Sequence, residues 1–82
     1  MYRVVLKKSA QKDLDRLPKL IQRRVSFGIE DLCMRGPSAA NVKKLHDPLS
    51  GFRKRVGNYR ILFDINKDIV LVHRIKKRDK AY

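Results

Sequence analysis

The spacing of apolar residues changes once along the chain, and that change fixes most of what the chain can fold into. Ala10, Leu14, Leu17, Ile21, Val25, Ile29, Leu32 and Cys33 recur mostly at steps of three and four. Such a series lays one apolar stripe along helical structure. After Gly51 the period becomes two. Phe52 to Val56, Tyr59 to Ile65 and Ile69 to Lys76 read as strands, with Gly57-Asn58 and the Asn66-Lys67-Asp68 region as turns. A chain that is helical first and stranded afterwards packs its helices on an antiparallel sheet, an α+β arrangement.

The helical part divides at Pro18, because a proline inside a helix clashes with the preceding turn whereas one at a helix start costs nothing. Two helices are predicted, over about 9–17 and about 19–35, with Ser9 as N-cap of the first and Gly36-Pro37 ending the second. Tyr2 to Leu6 reads as a first strand, and residues 38–51 as loop with a short turn at Val42 to Leu45. The expected order is β-α-α-β-β-β: a three-stranded meander joined by the first strand, with an N-terminal helical hairpin on one face. Eighty-two residues allow one domain, 1–82. The longest uninterrupted apolar stretch, Ile69 to Val72, is far short of a membrane span. Lys7 and Lys8 interrupt the early apolar run where a signal peptide would continue. A single cysteine, Cys33, excludes an intrachain disulfide framework and fits the apolar helical stripe. These features together lead to the expectation of a cytoplasmic protein.

Charge carries the functional signal. With 21 Lys+Arg against 8 Asp+Glu the formal net charge is +13, and a polyanion is the natural partner for such an excess. Residues 42–82 hold 12 basic and 4 acidic side chains, a net +8. If Gly57-Asn58 is a two-residue turn, Val56 faces Tyr59 and Arg55 sits opposite Arg60. Arg53 then shares that face, opposite Leu62. Two-residue loops at Asn66-Lys67 or Lys67-Asp68 would bring His73 or Ile75 beside Arg60, and a three-residue loop would flip this relation. Ile61, Phe63, Ile65, Val70 and Val72 collect on the other face, for the helices to cover. Like charges directly opposite destabilise a sheet. A solvated face, or pairing with Asp64, is one way to relieve them. The other is an anion site, since arginine forks hold phosphate oxygens bidentately.

The central stretch Leu49 to Phe63, with Phe52-Arg53-Lys54-Arg55-Val56-Gly57-Asn58-Tyr59-Arg60 at its heart, resembles the hairpin of the RelE/ParE superfamily of toxins. So do Leu14-Asp15-Arg16-Leu17-Pro18, Gly36-Pro37, Lys43-Lys44-Leu45 and the closing Lys77-Arg78-Asp79-Lys80-Ala81-Tyr82. The resemblance implies a microbial RNase-like fold, no cofactor, and a cognate antitoxin whose helical segment wraps the toxin. Its RelE-like branch cleaves mRNA on the ribosome, which makes mRNA, the ribosome and its RNA the expected partners. Arg60 is similar to the arginine that steadies the scissile phosphate, and Arg78 to the second phosphate-contacting arginine. Tyr82 is similar to the terminal tyrosine that stacks on a base or orients the nucleophile. Arg53 and Arg55 stand where some members have lysines.

Cleavage of this kind uses the RNA's own 2′-hydroxyl and leaves a 2′,3′-cyclic phosphate. The protein must hold the backbone in line, neutralise the phosphorane and move two protons. Arg60, Arg78 and Tyr82 are the catalytic candidates; Arg53, Arg55, Lys43, Lys44 and Lys77 are the phosphate-binding ones. Guanidinium does not deprotonate at accessible pH, so His46 and His73 are the proton-transfer candidates by their ordinary pKa, with Lys43, Lys44 and Tyr82 behind them. Asp13, Asp15, Glu30 and Asp31 lack His or Cys partners at ligand spacing, and no metal site is expected. Two alternatives stand beside the RelE-like reading: a ParE-like inhibitor of DNA gyrase, and a catalytically idle homologue that binds antitoxin.

Overall fold

A computed structural model describes residues 1–45 and 51–77. The chain runs β1 (Arg3–Leu6), α1 (Lys8–Asp15), α2 (Lys19–Arg35), β2 (Val42–Lys44), β3 (Phe52–Val56), β4 (Tyr59–Asn66) and β5 (Ile69–Lys77), with a 3₁₀ turn over Gly36–Ser38. The strands form one sheet in the order β1-β5-β4-β3-β2. All pairs are antiparallel except β1 with β5, which are parallel. The α+β class and the helical hairpin are as expected. Two details differ: the first strand joins in parallel, and Val42–Lys44 is a strand rather than a turn in a loop. That strand has only three residues and no alternation to betray it; pairing with β3 makes it.

Helix α2 starts directly after Pro18, whose extended backbone (φ −56°, ψ 149°) supplies the break between the helices. Gln22 ties the hairpin shut, its Nε2 donating to the carbonyl of Leu14 at 3.0 Å. At the far end Gly36 has φ 56°, a conformation that a side chain resists. A Cβ there would also meet the Tyr2 ring at 2.4 Å.

Helix α1 begins differently from its sequence expectation. Its N-cap is Lys7, without a side-chain bond, and Ser9 lies within the first turn. The Ser9 hydroxyl donates instead to the carbonyl of His73 at 2.8 Å. One turn on, Asp13 accepts the backbone N–H of Ile75 at 2.9 Å and binds Arg74. Strand β1 covers β5 only from Ile69 to Val72, so the rest of that edge needs other partners. Ser9 and Asp13, four residues apart on one helix face, provide them.

Both helices lie on the sheet face that carries Ile61, Phe63, Val70, Val72 and Ile75. These bury with Ala10, Val25, Leu32 and Ala39 to form the core. The register of β3 and β4 is the expected one, Val56 opposite Tyr59 and Arg55 opposite Arg60. Between β4 and β5 it shifts: Phe63 pairs with Val72 but Leu62 with Arg74, leaving His73 as the extra residue of a bulge. Neither His73 nor Ile75 therefore stands beside Arg60; Lys76 does. The same bulge lets Val72 and Ile75, three residues apart, both face the core.

Candidate anion-binding site

The sheet face away from the helices holds a concavity of about 210 Å³ lined by Asn41, Lys43, Arg53, Arg55, Gly57, Tyr59 and Arg60. Alternation along three adjacent strands gathers the cations. Lys43 on β2 pairs with Arg53 on β3, and Arg55 on β3 pairs with Arg60 on β4. The turn between β3 and β4 closes one end. Gly57 there has φ 58° and Asn58 does not share the positive angle, the pattern of a II′ hairpin turn. The Arg55 guanidinium folds back over that turn, its Nε donating to the carbonyl of Gly57 at 3.4 Å. Among the described residues no ion pair joins Lys43, Arg53 or Arg55.

The opposite wall is set from below. Asn41 takes φ 61°, a left-handed angle that asparagine tolerates well, and its carbonyl accepts the N–H of Arg55 at 3.0 Å. The preceding residue is pinned by a buried network. Lys54, 4% exposed, points to the helix side of β3. There its Nζ donates to Asp31 Oδ2 at 2.9 Å and to the carbonyl of Ala40 at 2.6 Å. Asp31 also accepts the N–H of Ala40 at 3.0 Å. The hydrogen bond from Lys54 holds the Asp31 carboxyl below its ordinary pKa, burial opposing and the Ala40 N–H assisting. One carboxylate on α2 thus fixes the segment from which Asn41 and Lys43 reach the site.

Of the residues singled out in the sequence, the structure brings Lys43, Arg53, Arg55 and Arg60 together. Lys44 pairs with Phe52 and Lys77 with Tyr59, and neither lysine lines the concavity. His73 Nε2 bonds Asp64 Oδ2 at 2.5 Å. Asp64 lies four residues beyond Arg60 on β4, ~13 Å along the strand at its ordinary rise. Asp64 therefore partners this histidine. His46, Arg78 and Tyr82 lie outside the described residues. Phe52 stacks on Phe63 with centroids 5.6 Å apart, a packing role. Asn41, the lining position of Tyr59 and the Lys54–Asp31 support were not read from the sequence. An asparagine ahead of the basic pair Lys43-Lys44 was the only local signal for any of them.

Such a site can bind a tetrahedral anion and stabilise added negative charge on it. Its arginines cannot move protons; Lys43 and Tyr59 are the titratable side chains in its lining.

A family model for the ParE toxin of the type II toxin–antitoxin system parDE matches residues 4–82. Toxin RelE3 of Methanocaldococcus jannaschii is 32% identical over 84 residues, covering 98% of this chain and 94% of its own. Among solved structures, the toxin–antitoxin complex RelBE2 of Mycobacterium tuberculosis matches with a TM-score of 0.80 at 34% identity, over 94% of this chain and 98% of that one. The archaeal RelE–RelB complex of Pyrococcus horikoshii gives 0.82 at 29% identity, over 98% of each. A helical hairpin on a sheet whose open face gathers arginines, matched from end to end by these proteins, places the chain in the RelE/ParE family: it is a toxin of a type II toxin–antitoxin system.

Proposed function

We propose that this toxin is a ribosome-dependent endoribonuclease that cuts mRNA through the RNA's own 2′-hydroxyl, and that a cognate antitoxin holds it in check. The observation that supports the reading is the single concavity joining Lys43, Arg53, Arg55 and Arg60 on the helix-free face of the sheet. Arg60, central in the sheet and backed by the Phe63–Ile61 core, steadies the scissile phosphate and neutralises the phosphorane. Arg53, Arg55 and Lys43 hold the backbone in line. Arg78 and Tyr82 join them by resemblance, as the second phosphate contact and the group that stacks on a base or orients the nucleophile. Proton transfer falls to Lys43, Tyr82 or His46, because His73 is engaged with Asp64 and does not line the concavity.

Primer extension on translated mRNA after induction tests this. Cuts within translated codons are expected, reduced ~100-fold or more by Arg60→Ala, the usual cost of removing one preorganised charge donor at an oxyanion. Co-expression of the antitoxin relieves the arrest. The matching family model is that of ParE, which supports a second reading, inhibition of DNA gyrase. A DNA-damage response without mRNA cuts, and growth arrest that survives Arg60→Ala, would establish that reading in place of the first. Neither response, with antitoxin binding intact, identifies an idle homologue.

A further inference from the structure

The outer side of α2 carries three large apolar side chains in water: Leu20 is 62% exposed, Phe27 70% and Met34 63%. They recur every seven residues, close to two helical turns, and so stand in one line. The core-facing side of the same helix is already supplied by Val25, Gly28 and Leu32. A row of exposed apolar residues that the core does not use marks a surface for another molecule. The charges beside it indicate which molecule. Arg23 and Glu30 line one shallow groove with Phe27 between them. Both are exposed, and neither forms an ion pair among the described residues.

We propose that α2 pairs with α2 of a second copy of this chain, antiparallel, about a two-fold axis through Phe27. Phe27 then meets its own counterpart, and Leu20 meets Met34 at both ends. Arg23 stands four residues before the axis and Glu30 three after it, on the same flank. The symmetry operation therefore brings Arg23 to within one residue's rise, ~1.5 Å along the helix, of Glu30 of the second copy. Each contact off the axis occurs twice, as an isologous interface requires. Reversal exchanges only the charges: apolar, basic, apolar, acidic, apolar on one copy lies against apolar, acidic, apolar, basic, apolar on the other. A uniformly acidic partner helix would leave Glu30 facing like charge; a second copy satisfies both signs. One helix pair is small against a standard interface of ~1,600 Å², so the dimer forms only at high concentration. The stripe faces away from the sheet, and pairing leaves the anion-binding concavity open in both copies. The inference is thus independent of the catalytic reading.

Sedimentation equilibrium of the purified chain, freed of any partner protein, tests the pairing. From ~10 µM to ~1 mM the weight-average mass is expected to climb from one chain toward two, a range suited to a weak complex. Phe27→Asp stays monomeric throughout. Arg23→Glu and Glu30→Arg each shift the concentration dependence at least ~10-fold toward monomer, and the double variant Arg23→Glu/Glu30→Arg recovers wild-type association. All three positions are exposed, and circular dichroism confirms the fold of each variant. A wild-type chain monomeric at ~1 mM, a dimer that survives Phe27→Asp, or a double variant that fails to recover overturns the proposal. So does binding of an added acidic amphipathic peptide to the stripe by a chain that never self-associates.

Discussion

Two aspartates do most of the long-range electrostatic work, each by accepting bonds from elements far away in sequence. Asp31 joins Lys54 and Ala40. Asp13 joins the side chain of Arg74 and the backbone of Ile75. Both carboxyls are held below the ordinary value of 3.8, chiefly by the hydrogen bonds from Lys54 and from Arg74 respectively. A folded pKa below the unfolded one means that the unfolded chain takes up protons first as pH falls. The stabilisation is therefore complete above about pH 4–5 and is lost as pH drops through the unfolded value towards the folded one. Urea unfolding at a series of pH values checks this. Stability is expected to be level near neutrality and to fall below about pH 4. Asp31→Asn and Asp13→Asn should each lower the plateau and flatten the acid limb. An acid limb unchanged in both variants would count against the linkage. Loss of Asp31 has a further consequence, because it frees Ala40 and with it one wall of the concavity.

Among the elements, α2 approaches the sheet closely enough to require glycine at one position. A Cβ on Gly28 would stand 2.8 Å from Val56 Cγ2 and 3.2 Å from Lys54 Cε. Gly28→Val is expected to destabilise by about 2 kcal/mol or more, as overpacked cores do, measurable as a lower urea midpoint at unchanged slope. The neighbouring β3–β4 hairpin was legible in the sequence because a two-residue turn leaves one register for its flanking strands. Once Gly57-Asn58 is the turn, Arg53, Arg55 and Arg60 must share a face. The register of β5 was not legible for a physical reason. Ile69, Val70, Leu71 and Val72 are apolar on both parities, so nothing marks the point near His73 where the alternation slips by one. Strand β2 was hidden because it exists only by pairing with β3. The Lys54–Asp31 support was hidden because its partners are 23 residues apart, and Lys54 reads as one more cation in a basic strand. Cations on the open face could be read from alternation; the parts that hold them in place arise from tertiary contacts.

At the scale of the whole molecule the net charge of +13 divides by location. Lys12, Arg16, Arg23 and Arg24 are exposed on the helical side, where they add general attraction to a polyanion. Lys43, Arg53, Arg55 and Arg60 converge on one concavity on the other side. Counterion release separates the two populations, because only charges that neutralise phosphates contribute to the salt dependence of binding. Four such contacts on single-stranded RNA predict a slope of log affinity against log salt of about −3, at about −0.7 for each phosphate. Fluorescence anisotropy of a short labelled RNA across a KCl series measures it. Lys43→Ala and Arg53→Ala should each make the slope shallower by about 0.7, whereas Lys12→Ala should weaken binding slightly at low salt and leave the slope alone. Equal changes for all three would mean that the RNA reads the protein's overall charge rather than the concavity. An unchanged slope in Lys43→Ala and Arg53→Ala would remove the concavity from RNA binding altogether.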